Sequence, residues 1–415
     1  MKNQEFRSIK EQAVGSGIAG KKFDFNEPGT RQLLEEVETW SKGDPHTHIS
    51  ASISPDYFLK RYLAFEREYG RDAFNEVQKE VLRLSNEIDP NLATDVTHNV
   101  HRLFTYDVND EKAKECYDER GKLPDGIVKY CLAEFSGAVA DVARQHFRDN
   151  VADLQLRFFP GGLFFKPSVE SVVYAAYEGF RQAEREFPGC KGSMIFTFNR
   201  NKPDMVEKIR GYLEQLYRIK ASDPQVGDRM AGIDLCGFTD IAENTKELEW
   251  ITLKYASALQ DVKDHGFFLT CHIGEYYGFD YANLSLSIDT LHQCIEKLHL
   301  DRIGHAIVLD PKRAAIVDPK GDIGMRVRQV LDIVKEREIM IESCPMVYIG
   351  SDLIERYADF PIHGWIKEGV NVRLGTDGLW TNRTSLSREA VKVLLSNPYD
   401  MNLDDMKKVV GCRDD

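Results

Sequence analysis

The sequence predicts an α/β fold, a (β/α)8 TIM-type barrel, on three observations. From about residue 150 onward, short apolar runs alternate with amphipathic stretches at an even spacing, the size of one βα unit. The runs are apolar on both faces, which suits a parallel sheet covered by helices rather than an antiparallel sheet with one wet face. No linker, repeat or low-complexity tract divides the chain of 415 residues, so eight units closing on themselves account for it as one large domain.

The elements follow in order. Residues 1–43 read as a polar N-terminal extension without a strand pattern, packed on the surface of a barrel domain spanning 44–415. The first strand falls in the short segment Gly43–Ile49. The interval from there to Ala152 is too long for a simple crossover and has helical character over Pro55–Tyr69, Asp72–Leu84 and about Asp125–Asn150. It is therefore expected to be a helical insertion, residues 50–150, between the first and second strands, capping the barrel mouth as water-excluding lids do. Seven further strands are expected at Ala152–Phe159, Met194–Phe198, Met230–Cys236, Phe267–His272, Arg302–Ile307, Met340–Ser343 and Val370–Gly375. Helices between them show the helical period. Leu248, Ile251, Tyr255, Ala258, Leu259 and Val262 mark one face, with Gly266 as a stop. Ile323, Val327, Val330, Leu331 and Val334 mark another. The stretch Pro311–Asp322, which includes the second of two Asp-Pro-Lys triplets, is expected to be a surface loop.

Bulk properties exclude some partners. A net charge of −13 and a pI near 5.4 argue against a nucleic-acid duplex or an anionic membrane as main partner, since both reward a basic surface. No apolar run approaches the roughly 20 residues of a membrane span. Met1–Lys22 is polar and lacks the apolar core of a secretory signal, so a cytoplasmic protein is expected. The eight cysteines are scattered without a CxxC pair, which points away from a thiolate zinc site or a disulfide framework and toward buried small apolar residues.

Four segments put polar, ligating residues where strands should end. In Asp44-Pro-His-Thr-His48, residues i and i+2 of a strand share a face, so His46 and His48 can serve one ion. Cys271-His-Ile-Gly-Glu275 supplies His272 and Glu275; Arg302-Ile-Gly-His305 and Leu374-Gly-Thr-Asp377 supply His305 and Asp377. Singly, such a His is an ordinary hydrogen-bonded residue and such an Asp an ordinary helix cap. In a barrel the strand ends share one mouth, where unpaired polar groups would be costly, and a metal ion explains the grouping. Nitrogen and oxygen donors without thiolate suit Zn²⁺ in an open catalytic site, with Fe²⁺ or Mn²⁺ remaining open. Arg157, at the end of its strand, is placed to meet a phosphate or a carboxylate in the mouth, or equally to form an ion pair behind the site. Trp380, Tyr276 and Tyr277 adjoin the site as a stacking wall or as rim packing, and His98 and His101 in the insertion are read as structural.

The order HxH, HxGE, GH, TD, together with "LQLRFFP" at 154–160, "GIDLCG" at 232–237 and "IESCP" at 341–345, resembles the adenosine/AMP deaminase branch of the metal-dependent amidohydrolase superfamily. The resemblance implies one Zn²⁺ per subunit on His46, His48, His272 and Asp377, and a small purine-like substrate. It implies that His305, assisted by Asp377, deprotonates the attacking water, that Glu275 protonates a ring nitrogen, and that Gly237 offers a backbone contact to the base. The expected reaction is hydrolytic removal of the amine from a purine nucleoside, nucleotide or related amino-heterocycle. Three positions depart from the pattern. The Asp that usually follows the second His by two residues is Ser50, the second of two consecutive Asp residues is Gly378, and the serine segment after Cys-Pro is Met346-Val347-Tyr348. The substrate-facing set is thus expected to be Gly237, Ser50, Gly378 and Trp380. Family chains often carry one or two helices beyond the last barrel helix, so the resemblance implies a short variant or a trimmed chain. Two alternatives keep the fold: hydrolysis of an amide, ester or C–Cl bond, and a non-catalytic nucleoside-binding relative, against which the retained Glu275 and His305 argue.

Overall fold

A computed structural model describes Ile9 and residues 23–88, 132–161, 167–202, 204–237, 252–275, 280–350, 353–396 and 401–412. The expected metal-independent histidines His98 and His101, the aromatic pair Tyr276 and Tyr277, and Cys116 and Cys131 lie outside those residues.

Eight strands run in chain order around one sheet, each parallel to the next. They are β1 (Lys42–His48), β2 (Val151–Phe158), β3 (Lys191–Asn199), β4 (Met230–Cys236), β5 (Phe268–Ile273), β6 (Arg302–His305), β7 (Met340–Ser343) and β8 (Val372–Leu374). The sheet closes through a single parallel bridge between Thr47 and Asp377. In it the Asp377 N–H donates to the His46 carbonyl and the His48 N–H to the Asp377 carbonyl, both at 2.7 Å. The expected (β/α)8 fold is therefore present, and its closure point is built from three of the expected site residues.

Strand interiors are apolar because helices cover the outer face and side chains fill the barrel. β3 is buried from Gly192 to Phe198. The helix Asp322–Glu336 buries Ile323, Val327, Val330, Leu331 and Val334, the stripe its period predicts. Full burial of each such aliphatic is worth about 1.5–3 kcal/mol. Caps fix the helix starts. The Ser168 hydroxyl accepts from Ser171 N ahead of Val169–Glu186, and Asp280 accepts from Ala282 N and Asn283 N ahead of Tyr281–Leu298.

Some expectations shift. Pro311–Asp322 is not a surface loop throughout: Pro311–Val317 is a helix whose Arg313 and Ala314 are buried. Asp310 caps it by accepting from Lys312 N, and Pro311 occupies its first turn, where a missing N–H costs nothing. Within the N-terminal extension, Pro28–Glu38 is a helix that buries Leu33 and Val37 and packs on the helix Leu386–Ser396. Of the helix expected through Leu248–Val262, the first part lies outside the described residues. The rest is the turn Ala256–Leu259 and a short 3₁₀ turn, ended at Gly266 with φ +74°. In the insertion, helices span Pro55–Tyr69, Arg71–Ile88 and Leu132–Arg148. Among the described residues no helix is long and apolar enough to cross a membrane.

Candidate active site

The strand ends bring the predicted ligands together. Pro45 has no N–H to give the ladder, and the β1–β2 register slips between Asp44 and Thr47. The Asp44 carboxylate takes up the slack, accepting from His46 N at 3.0 Å. This local irregularity precedes two histidines on one strand face. His46 Nε2 lies 3.1 Å, and His48 Nε2 3.0 Å, from His272 Nε2 at the end of β5. Asp377 Oδ1 is 3.4 Å from both β1 histidines. The four donor atoms all lie within 4.8 Å of one another.

The other ring nitrogens decide what these atoms present. His46 Nδ1 is 3.0 Å from Glu342 Oε2, and His272 Nδ1 is 3.0 Å from Asp234 Oδ1. A carboxylate only accepts, so each Nδ1 carries the proton and each Nε2 turns a lone pair toward its neighbours. Lone pairs 3 Å apart repel, and a cation between them turns that repulsion into coordination. Burial pushes His48 down to about 3 and also lowers His272, which keeps both in the unprotonated form a metal requires. His46 goes the other way: burial and Arg157 press it down, but Asp377 and Glu342 outweigh them. Asp377, Asp234 and Glu342 are all held ionised against burial: Asp377 and Asp234 chiefly by the histidines, with Arg157 adding for Asp234, and Glu342 chiefly by Arg157, with His46 adding. The buried carboxylates Asp234 and Glu342 pair with the guanidiniums of Arg157 and Arg302, and the half-buried Asp377 adds a further negative charge beside the histidine nitrogens, which a bound cation would offset. The donor set fits a divalent ion of the zinc type.

Across the mouth stand the two groups expected to move protons. His305 ends β6 with φ +73°, followed by Ala306 at +54°, and Asp377 sits at +58°. Non-glycine residues in the left-handed region are uncommon and gather at functional sites. His305 Nε2 is 3.6 Å from Glu275 Oε1, while the buried His305 Nδ1 has no hydrogen-bond partner among the described residues. Burial and the neighbouring imidazoles hold His305 well below its ordinary value, which favours its neutral form.

The expected substrate-facing residues divide. Gly237 ends β4 at φ +110°, and a Cβ there would meet Asn199 Oδ1 at 2.8 Å. Ser50 is half-buried in the short helix Ile49–Ser52 that follows His48. Gly378 is enclosed: a Cβ would meet Ala51 Cβ and Thr381 Oγ1 at 2.4 Å each. Trp380 turns its indole N–H to Gln145 Oε1, 2.6 Å away, which is rim packing onto the helix Leu132–Arg148.

Three buried residues that sequence reasoning did not single out complete the centre. Asp234 and Glu342 orient the ligand histidines. Arg200, at the end of β3, donates to the carbonyls of Gly237 and His272 and to Cys271 Sγ, and lies 4.0 Å from Glu275. The available signal was a charged residue inside an apolar strand: Ile233-Asp234-Leu235 and Ile341-Glu342-Ser343. Arg157 forms buried ion pairs with Glu342 and Asp234, the second of the two readings its position allowed.

The adenosine deaminase family model matches residues 125–401. The chain belongs to the adenosine deaminase family. The β1 ligands His46 and His48 lie ahead of the matched stretch, and the HxH motif there supplements it. An adenosine deaminase of Clostridium perfringens (strain SM101) is 25% identical over 269 residues, covering 63% of this chain and 66% of that protein. The match thus spans just under two thirds of that relative's length. Among solved structures, an amidohydrolase from Burkholderia ambifaria with bound Zn superposes with a TM-score of 0.61 at 15% identity, covering 92% of this chain and 85% of that one. The apo N6-methyl-AMP deaminase from Arabidopsis thaliana gives 0.59 at 17% identity, with 91% of each chain covered. These two likenesses are of fold.

Proposed function

We propose that this family member is a metal-dependent hydrolytic deaminase of a purine nucleoside, nucleotide or related amino-heterocycle. The observation that carries the reading is the convergence of four protein donors on one point, with His305 and Glu275 paired beside it. Zinc, one ion per subunit, would be held by His46, His48, His272 and Asp377, and when bound it would bring a water's pKa close to neutrality. His305, whose Nδ1 meets no protein acceptor or donor among the described residues, is suited to take a proton from the attacking water, with Asp377 beside it. Glu275 is suited to protonate the ring nitrogen next to the amine-bearing carbon, which makes that carbon electrophilic. Water adds there, the C–N bond breaks with its electron pair leaving on nitrogen, and ammonia and the ring carbonyl result. Gly237, free of a side chain, would let the base approach the backbone that Arg200 holds. Residues 44–415 would form the catalytic domain, with the helices of the 50–150 insertion as its cap. The family relationship and the deaminase names of the relatives support this reading.

Ammonia release tests it, with adenosine, AMP, N6-methyl-AMP, adenine and guanine offered to fully metallated protein. At least one should yield ammonia, or methylamine from the methylated compound. Stripping the metal with a chelator should abolish turnover, and adding zinc should restore it. Metallated protein that releases no amine from any of them would overturn the reading. Turnover of an amide, ester or chloro-heterocycle in its place would move the chain to another hydrolysis.

A further inference from the structure

Beneath the donor cluster lies one cation with two carboxylates. Arg157 belongs to β2, paired with His48 on one side and Ile195 on the other, and its side chain is fully buried in the barrel. Its Nη2 donates to Glu342 Oε2, the same oxygen that faces His46 Nδ1 at 3.0 Å. Its Nε lies 3.4 Å from Asp234 Oδ2, and the other oxygen of that carboxylate faces His272 Nδ1 at 3.0 Å. Its Nη1 donates to the Pro45 carbonyl at 2.6 Å, at the register slip just before His46. One planar guanidinium therefore touches the orienting partner of two ligand histidines, on strands far apart in the chain, and the backbone that carries one of them.

We propose that Arg157 is the positioning residue of the metal centre: its two Nη atoms hydrogen-bond Glu342 and the Pro45 carbonyl while its Nε side faces Asp234 as an ion pair, so that His46 and His272 are aimed before an ion arrives. This rests on the metal reading above but not on any substrate. Arg302 makes the contrast. It reaches only one of the two orienting carboxylates, Glu342, through Oε1 at 3.3 Å, the oxygen that His46 does not face, and binds Gln155 at 2.6 Å. A point charge cannot replace the fork, because the ammonium of lysine cannot span both carboxylates and the carbonyl in one plane.

The test is zinc affinity, by competition with a chromogenic chelator, on wild type, Arg157→Lys, Arg157→Met and Arg302→Met. Folding of each is checked by circular dichroism. Loss of an orienting partner typically weakens metal binding by about 10–100-fold, and that loss is expected for Arg157→Met, with a smaller loss for Arg157→Lys. Arg302→Met should change affinity by less than about threefold, because the histidine partners stay fixed. Cobalt-loaded Arg157→Lys should also show an altered visible band, which a change in overall stability alone would not produce. If Arg157→Met does not fold, Arg157→Lys carries the test through both readouts. Wild-type affinity and an unaltered cobalt band in a folded Arg157 variant would overturn the proposal, as would equal losses in Arg157→Met and Arg302→Met. Wild-type protein that binds neither zinc nor cobalt would instead sink the metal reading itself.

Discussion

The two halves of the barrel mouth are built differently. On the β1/β8 side the backbone that carries His46, His48 and Asp377 is tied across the barrel seam. At the closure of the barrel the Asp377 N–H donates to the His46 carbonyl and the His48 N–H to the Asp377 carbonyl, Thr47 and Thr376 join hydroxyls at 2.8 Å, and Asp44 ties His46 N to the Thr376 hydroxyl. On the β5/β6 side His272 is fastened through Asp234. Glu275 and His305 face each other at 3.6 Å, beyond a hydrogen bond, and His305 Nδ1 is buried without a hydrogen-bond partner among the described residues. A buried polar atom left unsatisfied costs about 1–3 kcal/mol, and folding tolerates it where another molecule is to supply the bond. The first half is made to hold an ion still, and the second to exchange protons with something that enters.

That contrast is most exposed at Glu275. If the halves do separate work, Glu275→Gln should lower kcat by about 10²–10⁴-fold, the usual worth of a general acid, and leave the metal content at one ion per chain. The isosteric amide keeps the shape and removes the proton it would deliver. Metal content by atomic absorption, read beside turnover, separates the two effects. Loss of metal and activity together would join the halves into one unit.

A smaller effect is expected where the halves meet. Asp234→Asn keeps a group of the same size beside His272 Nδ1 but removes its charge, and should weaken zinc binding by about 10–100-fold. Glu342→Gln makes the same change beneath His46. Its loss should be less, because His46 also gains rigidity from the barrel closure. Isothermal titration of apo protein with zinc would rank the two. The reverse ranking would show that backbone closure contributes little to aiming His46.

The same division marks what the sequence disclosed. His46, His48, His272, Glu275, His305 and Asp377 interrupt apolar runs at strand ends, where polarity is visible in a linear reading, and the eight-fold rhythm gathers them at one mouth. Asp234 and Glu342 interrupt such runs as well, but inside a strand a lone carboxylate has meaning only through its partners. Those partners, Arg157, His46 and His272, come from three other strands, and no spacing predicts that meeting. Pro311 misled for a local reason. Asp-Pro signals a turn, yet the same pair supplies the cap and first residue of the helix Pro311–Val317, since a turn and a helix start use the same chemistry. Trp380 was legible as a rim residue but not in its direction, which depends on Gln145 from the insertion.

The smallest predicted effect concerns Gly378, on the tightly held side. The family's usual carboxylate at this position cannot be restored by substitution alone, because the first side-chain atom already collides with Ala51 Cβ and Thr381 Oγ1. Gly378→Ala isolates that collision from any charge. It should destabilise the protein by about 1–2 kcal/mol, toward the low end of overpacking because the Thr381 hydroxyl can rotate aside. Ala51→Gly alone should cost about 0.5–1 kcal/mol, through the added freedom of glycine in the turn Ile49–Ser52. In the double variant one collision is gone, so its loss should fall short of the sum of the two single losses by at least about 0.5 kcal/mol. Urea unfolding of the four proteins measures this coupling. Strict additivity would mean that the loop after β1 moves freely. The tight packing between the ends of β1 and β8 would then not be what keeps a carboxylate out of this position.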